Sequence, residues 1–148
     1  MQQKGFFELH GPWDLLSKLQ HDYDRINADP SDTYAAFDFF VTATHMSEWW
    51  KKCGVDWSMP TDPIEELVVR LCGEIGTGAK HFVMERKGFA GHEVSYTGDT
   101  AGTLVIHLEP EDAATLGMES VNTLRLAASV LRYWGEYEQK RRFPLRMS

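Results

Sequence analysis

The chain has 148 residues, 43% of them hydrophobic, and 15 Lys and Arg against 22 Asp and Glu give a formal net charge of −7. This length and apolar content predict a single domain, residues 1–148, with a core of its own. An acidic chain is poorly suited to non-specific nucleic-acid binding, because phosphate contacts need surplus Lys and Arg. The sequence has no apolar run of membrane-spanning length and no signal-peptide pattern, so we expect a cytoplasmic protein without membrane contact.

The first third of the chain shows two helical patterns separated by a turn. Apolar residues recur at three- and four-residue steps over residues 12–26, and a proline occupies the first helical position. Residues 27–30 have a turn composition. A second helix follows, capped by Ser31 or Asp32 and extending to Lys52.

A third helix has the clearest start in the sequence. Asp62 can cap its N-terminus, Pro63 takes the first helical position, and Glu65 lies three residues after the cap, as in a capping box. Apolar residues keep a helical spacing as far as Phe82, although glycines interrupt it at about 1 kcal/mol each relative to alanine. The sequence therefore predicts a helix from Pro63 to Phe82.

The pattern changes to strict alternation over residues 92–97 and 103–108, which predicts an antiparallel hairpin. A lone hairpin is marginally stable in water, so it must pack on the helices. After one short helical turn within 110–117, a last helix is predicted over 121–142 with Ser120 as its cap. These elements predict a mainly α fold, a four-helix bundle with the hairpin inserted between the third and last long helices.

Common catalytic and metal-binding motifs are missing from the sequence. The two cysteines, Cys53 and Cys72, do not form a CxxC pair, and there is no HExxH motif, phosphate-binding glycine loop or nucleophile elbow. We therefore expect no cofactor and favour a protein that is not an enzyme.

The second and third helices carry polar strips with matched spacing. On the second helix, apolar residues cover the rest of the circumference. One antiparallel register places His81 opposite Asp38 and Glu74 opposite His45, with a threonine pair between them, and we expect Gly78 to permit the close approach. The resulting seam is either structural or functional, and a metal site at His45, Glu74 and His81 is a further alternative. The strip residues are Asp38, Thr42 and His45 on the second helix and Glu74, Thr77 and His81 on the third.

Tryptophans near the end of the second helix predict an association surface. Trp49 and Trp50 diverge by about 100° around a helix, so one of them is not wholly in the core. Trp57 adds apolar surface in the loop that follows. We expect Trp49 and Trp57 to bind a protein partner or a second copy of the chain, with packing inside the chain as the alternative.

The chain resembles a group of uncharacterised bacterial helical proteins in three stretches, PWDLLSKLQHDYDRI, DPSDTYAAFDFFVTATHMSEWW and GAKHF. Its order of helices also resembles HEPN domains, four-helix bundles common in prokaryotic toxin–antitoxin and defence systems. Many HEPN proteins are RNases that use an arginine and a histidine with four to six residues between them. Arg86 and His92 have five residues between them, and the resemblance implies that Arg86 stabilises phosphate charge while His92 moves a proton. Gly88 and Gly91 favour a loop where the family motif begins a helix.

Three hypotheses of function follow from these patterns. The leading hypothesis is a non-enzymatic cytoplasmic bundle that acts through protein–protein contact or self-association. The alternatives are a HEPN-like RNase or a toxin–antitoxin or defence component, and a bundle that binds a metal at the histidine–carboxylate seam.

Overall fold

The computed structural model describes residues 9–80, 93–96 and 104–142, which are mainly helical. The long helices α1, α2, α4 and α6 form a bundle in which α2 and α6 each contact both α1 and α4. This arrangement, with a hairpin before the last long helix, confirms the predicted fold class. The elements in chain order are α1 (Pro12–Ala28), α2 (Thr33–Thr44), α3 (Met46–Lys52), α4 (Pro63–Lys80), β1 (Glu93–Tyr96), β2 (Leu104–His107), α5 (Pro110–Leu116), β3 (Ser120–Asn122) and α6 (Thr123–Arg142).

Two of the predicted helix caps are confirmed. The Asp32 carboxylate accepts a hydrogen bond from the Ala35 amide at 3.0 Å at the start of α2. At the start of α4, the Asp62 carboxylate accepts from the amides of residues 64 and 65 at 3.1 and 3.0 Å. Each cap satisfies amide groups that have no partner within the helix, so both helices begin where the sequence predicts.

The predicted second helix is not continuous, because it breaks at His45 into α2 and α3. The His45 amide donates to the Thr42 carbonyl, a tight three-residue turn, and the Thr44 hydroxyl donates to the Val41 carbonyl at 2.6 Å. A threonine hydroxyl that bonds backbone oxygen competes with the helical ladder and bends helices. The prediction of one helix to Lys52 is therefore wrong at this point.

The strands form a three-stranded antiparallel sheet in the order β1, β2, β3. Ile106 on β2 lies opposite Val94 on β1 and Val121 on β3, and it is fully buried. Ser120 belongs to β3, so its prediction as a helix cap is wrong. The Asn122 side chain caps α6 instead, accepting from the amide of residue 125 at 2.7 Å.

The core lies where the four long helices meet. Burying one leucine or phenylalanine side chain there stabilises the fold by about 1.5–3 kcal/mol relative to leaving it in water. On α2, one side of the helix turns towards α1 and another towards α4. The largest fully buried apolar side chains include Leu19, Ile26, Phe39, Phe40, Met46, Leu67, Leu71 and Val130.

Candidate functional site

The polar strip of α2 lies against α1, where it meets a buried aspartate. Asp22 has a side chain only 2% exposed and accepts from Lys18 Nζ at 2.6 Å and from Arg25 Nη1 at 3.3 Å. Lys18 also donates to the Thr42 hydroxyl at 3.1 Å. Arg25 donates to the Asp38 carboxylate at 2.7 Å, which raises the pKa of its guanidinium. We call these five residues the α1–α2 network. Its two cations compensate the burial of the Asp22 charge.

The strip on the second helix was predicted correctly as polar, but two of its members turn to a different helix. We expected Asp38 and Thr42 to face α4, and their hydrogen bonds are with α1. A sequence signal for this contact existed, because Lys18 and Arg25 are also seven residues apart. His81, the expected partner of Asp38, lies outside the described residues, so that pairing stays a prediction.

Each member of the second expected pair, His45 and Glu74, has a contact with a residue closer in sequence. His45 Nδ1 lies 3.0 Å from a Glu48 carboxylate oxygen. Glu74 Oε1 lies 3.6 Å from Arg70 Nη1, one turn back along α4. Thr77 is exposed.

The helices α2 and α4 approach closely at Gly76, whereas we expected the close approach at Gly78. The predicted register places Ala43 opposite Gly76. In the structure, Gly76 lies against Phe40 and Thr44, which are close to Ala43 on α2. A Cβ added to Gly76 would lie 2.5 Å from the Phe40 carbonyl oxygen and would overlap the Thr44 methyl group. We call this the α2–α4 contact, and it depends on the absence of a side chain.

On another side of α4, Arg70 is held by carboxylates in a cluster that sequence reasoning missed. Arg70 donates to Glu66 Oε2 and to Asp112 Oδ1, both at 2.9 Å, besides its contact with Glu74. These bonds raise the pKa of the guanidinium, so it stays charged. Asp112 lies on α5, and the cluster therefore fixes α5 to α4.

A cavity of about 660 Å³ runs along α4 beside this cluster. Its walls bring together four residues singled out from the sequence, Trp57, Glu74, Thr77 and Gly78, and they also include Trp134. The carboxylate of Glu74 contacts Arg70, and the Thr77 side chain is neutral at all ordinary pH values. Aromatic walls with paired charges suit binding better than proton transfer.

The tryptophans predicted to form an association surface pack inside the chain. Trp57 donates its indole N–H to the Tyr133 hydroxyl at 2.9 Å, and its ring centroid lies 5.7 Å from that of Trp134. The same surroundings raise the pKa of Tyr133 through burial. Trp49 is partly buried and packs against the core. Both side chains fit the alternative interpretation, which was packing within the chain.

The largest exposed aromatic side chains of α2 lie on a face that neither α1 nor α4 covers. Tyr34 is 80% exposed and Phe37 is 45% exposed, and Val41, partly exposed, follows at the next helical step. We call these three residues the α2 outer face. The three residues themselves carry no charge, but Asp38, one turn after Tyr34 and paired with Arg25 at 2.7 Å, borders them on the side towards α1. The sequence already indicated such a face. The second helix is apolar around most of its circumference, and a helix of that kind is normally buried on every side, so any side that its own chain leaves open needs another cover.

Two further predictions depend on residues that the structure does not describe. Arg86 and His92, the pair implied by the HEPN resemblance, both lie outside the described residues, and the RNase alternative stays a prediction. The metal-site alternative at His45, Glu74 and His81 also stays a prediction, because His81 lies outside the described residues. Within residues 9–80, 93–96 and 104–142, no three His, Cys, Asp or Glu side chains are grouped so that they could hold a metal ion.

Comparisons with known proteins do not place this chain in a family. No family model matches the sequence, and no curated protein or solved structure matches it. Among the described helices, none is long and apolar enough to cross a membrane.

Proposed function

We propose that this protein is a helical-bundle association module that binds a protein chain through the α2 outer face. The observation that carries the proposal is the exposure of the two neighbouring aromatic side chains Tyr34 and Phe37 on α2. Contiguous exposed apolar surface on a small protein marks interaction sites. Tyrosine is enriched among the residues that contribute most binding energy at interfaces.

The paired charges beside this face and elsewhere on the bundle also support binding over chemistry. Asp38, the one charged residue of α2, is held by Arg25, and Arg70 is held by Glu66 and Asp112. Ion pairs of this kind position helices, whereas catalysis needs a group free to exchange protons with a substrate.

The test compares the wild type with a double variant, Tyr34→Ser with Phe37→Ser. The matched control is Ile64→Ser with Met118→Ser, which removes two exposed apolar side chains elsewhere. Association is measured by light scattering of the purified protein and by binding of purified candidate partners. We expect the α2 variant to lose association while the control retains it, with unchanged circular dichroism in both.

The proposal fails if the wild type neither self-associates nor binds any purified partner in a manner that depends on Tyr34 and Phe37. It also fails if the control variant loses association to the same extent. The α2 variant removes side chains that are largely exposed, so loss of folding is not the expected cause of a change.

A further inference from the structure

We propose that the cavity along α4 binds a small organic cation, an ammonium group on an apolar body, with the positive charge at the Glu74 carboxylate. We call this site the α4 cavity. Its volume of about 660 Å³ lies within the range of roughly 300–1,000 Å³ that is usual for small-molecule sites. No residue of the α2 outer face lines it, so the inference does not rest on the proposed function. Three observations carry it, namely the floor of the cavity, its aromatic walls and its charges.

The floor of the α4 cavity is a part of α4 that lacks a side chain. Gly73 lies within the helix and lines the cavity, and a Cβ added there would meet nothing within 4 Å. A glycine inside a helix destabilises it relative to alanine. Close packing against α2 explains the glycine at position 76, whereas no such contact explains the one at position 73. The missing side chain at Gly73 instead leaves room for a bound molecule.

Two tryptophan rings form rigid walls of the α4 cavity. The ring centroids of Trp57 and Trp134 are 5.7 Å apart. Trp134 is only 2% exposed, and the indole of Trp57 is fixed by its 2.9 Å hydrogen bond to the Tyr133 hydroxyl. Walls that are already ordered lose little freedom when a ligand binds. Lys51 Nζ already lies 5.9 Å from the centroid of the Trp57 ring, so the apolar body of the ligand contacts these walls and its ammonium group lies elsewhere.

The charges of the α4 cavity select a cation over an anion. Arg70 lines the cavity, but Glu66 and Asp112 hold its guanidinium at 2.9 Å, and a bound anion would have to compete with both. Glu74 Oε1 lies 3.6 Å from Arg70 Nη1, which is longer than a hydrogen bond. An ammonium group that approaches Glu74 can form a charge-assisted hydrogen bond. The formal net charge of −7 favours a cation as well.

The first experiment compares three probes of similar size and different charge, namely phenethylamine, phenethyl alcohol and phenylacetate. At about pH 7 they carry a positive charge, no charge and a negative charge, respectively. Binding to the purified full chain is measured by calorimetry and by ligand-detected magnetic resonance. We expect the amine to bind at least about tenfold more tightly than the alcohol, and the acid to bind most weakly. Added salt should reduce the difference between amine and alcohol, because it screens the attraction.

The second experiment tests the role of the Glu74 carboxylate. Glu74→Gln keeps the shape of the side chain and removes its charge. The affinity for phenethylamine should fall about tenfold, to the level of the alcohol, while the affinity for the alcohol stays unchanged. The matched control is Glu136→Gln, which removes an exposed carboxylate of α6 and the same amount of net charge. This control should bind all three probes like the wild type.

The third experiment fills the cavity from its floor. Gly73→Leu places a large side chain in the open space, so we expect binding of both the amine and the alcohol to be lost. Gly135→Leu is the control, because a Cβ there also meets nothing within 4 Å and Gly135 does not line the α4 cavity. Circular dichroism and chemical denaturation of both variants show whether the fold is retained.

Several outcomes would overturn the inference. It fails if none of the three probes binds at up to about 10 mM, the weakest affinity expected for probes of this size. It also fails if the alcohol or the acid binds as tightly as the amine. Equal losses in Glu74→Gln and Glu136→Gln would show a general attraction of cations to an acidic chain, and a folded Gly73→Leu variant that binds like the wild type would place the probe elsewhere. All four variants retain Tyr34 and Phe37, so these results leave the test of the proposed function independent.

Discussion

The two covered sides of α2 are attached to the bundle by different interactions. Towards α1, charged side chains surround the buried carboxylate of Asp22 and connect to Thr42 and Asp38. Towards α4, Gly76 lies against the backbone of Phe40, and the contact depends on shape. Hydrogen-bonded charges restrict register and direction, whereas close packing restricts the distance between helix axes. The contacts with α1 thus fix the register of α2 along its axis, and the contact with α4 fixes the distance between the α2 and α4 axes.

The largest effect we expect comes from adding one methyl group at the α2–α4 contact. Gly76→Ala places a Cβ 2.5 Å from the Phe40 carbonyl oxygen, and backbone cannot rotate away as a side chain can. We expect a loss of about 2–3 kcal/mol in the free energy of unfolding, as in other overpacked cores. Chemical denaturation measures it.

Gly73→Ala is the matched control on the same helix. A Cβ there meets nothing within 4 Å, so the substitution removes a helix-interior glycine without a clash. It is expected to stabilise the protein by about 0.5–1 kcal/mol. Equal effects at the two positions would show that the α2–α4 contact is not tight.

The second prediction removes the charge at the centre of the α1–α2 network. Asp22→Asn keeps the shape of the side chain but withdraws the anion that Lys18 and Arg25 share. We expect the free energy of unfolding to fall by about 2 kcal/mol, since hydrogen bonds to charged groups are worth about 1.5–3 kcal/mol.

Asp24→Asn, two residues further along α1, is the control for this change. Asp24 is exposed and accepts a hydrogen bond from Gln20. Its substitution should alter stability by less than about 0.5 kcal/mol. If the two variants behave alike, burial does not set the strength of the network, and the contrast between the two sides of α2 disappears.

The fold could be predicted from the sequence where its signals are local. Asp32 and Asp62 mark helix starts through hydrogen bonds within one turn, Pro12 marks one through its fixed φ and missing N–H, and all three mark the observed starts. β3 was missed because its residues 120–122 become a strand only by pairing with β2, a partner more than ten residues away. The break at His45 was missed because it comes from a competing hydroxyl in an otherwise helical pattern.

The candidate site could be predicted only in part. A helical wheel showed that Asp38 and Thr42 share one side of a helix, but it does not identify the helix that lies there. The complementary spacing of Lys18 and Arg25 carried that information. The surroundings of Trp57 could not be predicted from the sequence. The pattern around an aromatic residue in a loop does not show whether its side chain faces solvent or, as here, contacts Tyr133.

The smallest effect we expect is at the exposed end of the α1–α2 network. Asp38→Asn breaks the 2.7 Å contact with Arg25, in which both side chains are more than one third exposed. Exposed ion pairs contribute little because water and salt screen them. The loss of stability should therefore be much smaller than that of Asp22→Asn, and it should vanish in concentrated salt. Denaturation of both variants at low and high salt concentration measures this difference. A loss for Asp38→Asn that equals the loss for Asp22→Asn and persists in salt would mean that the network acts as one unit, and that the polar side of α2 is held as rigidly at its surface as at its buried centre.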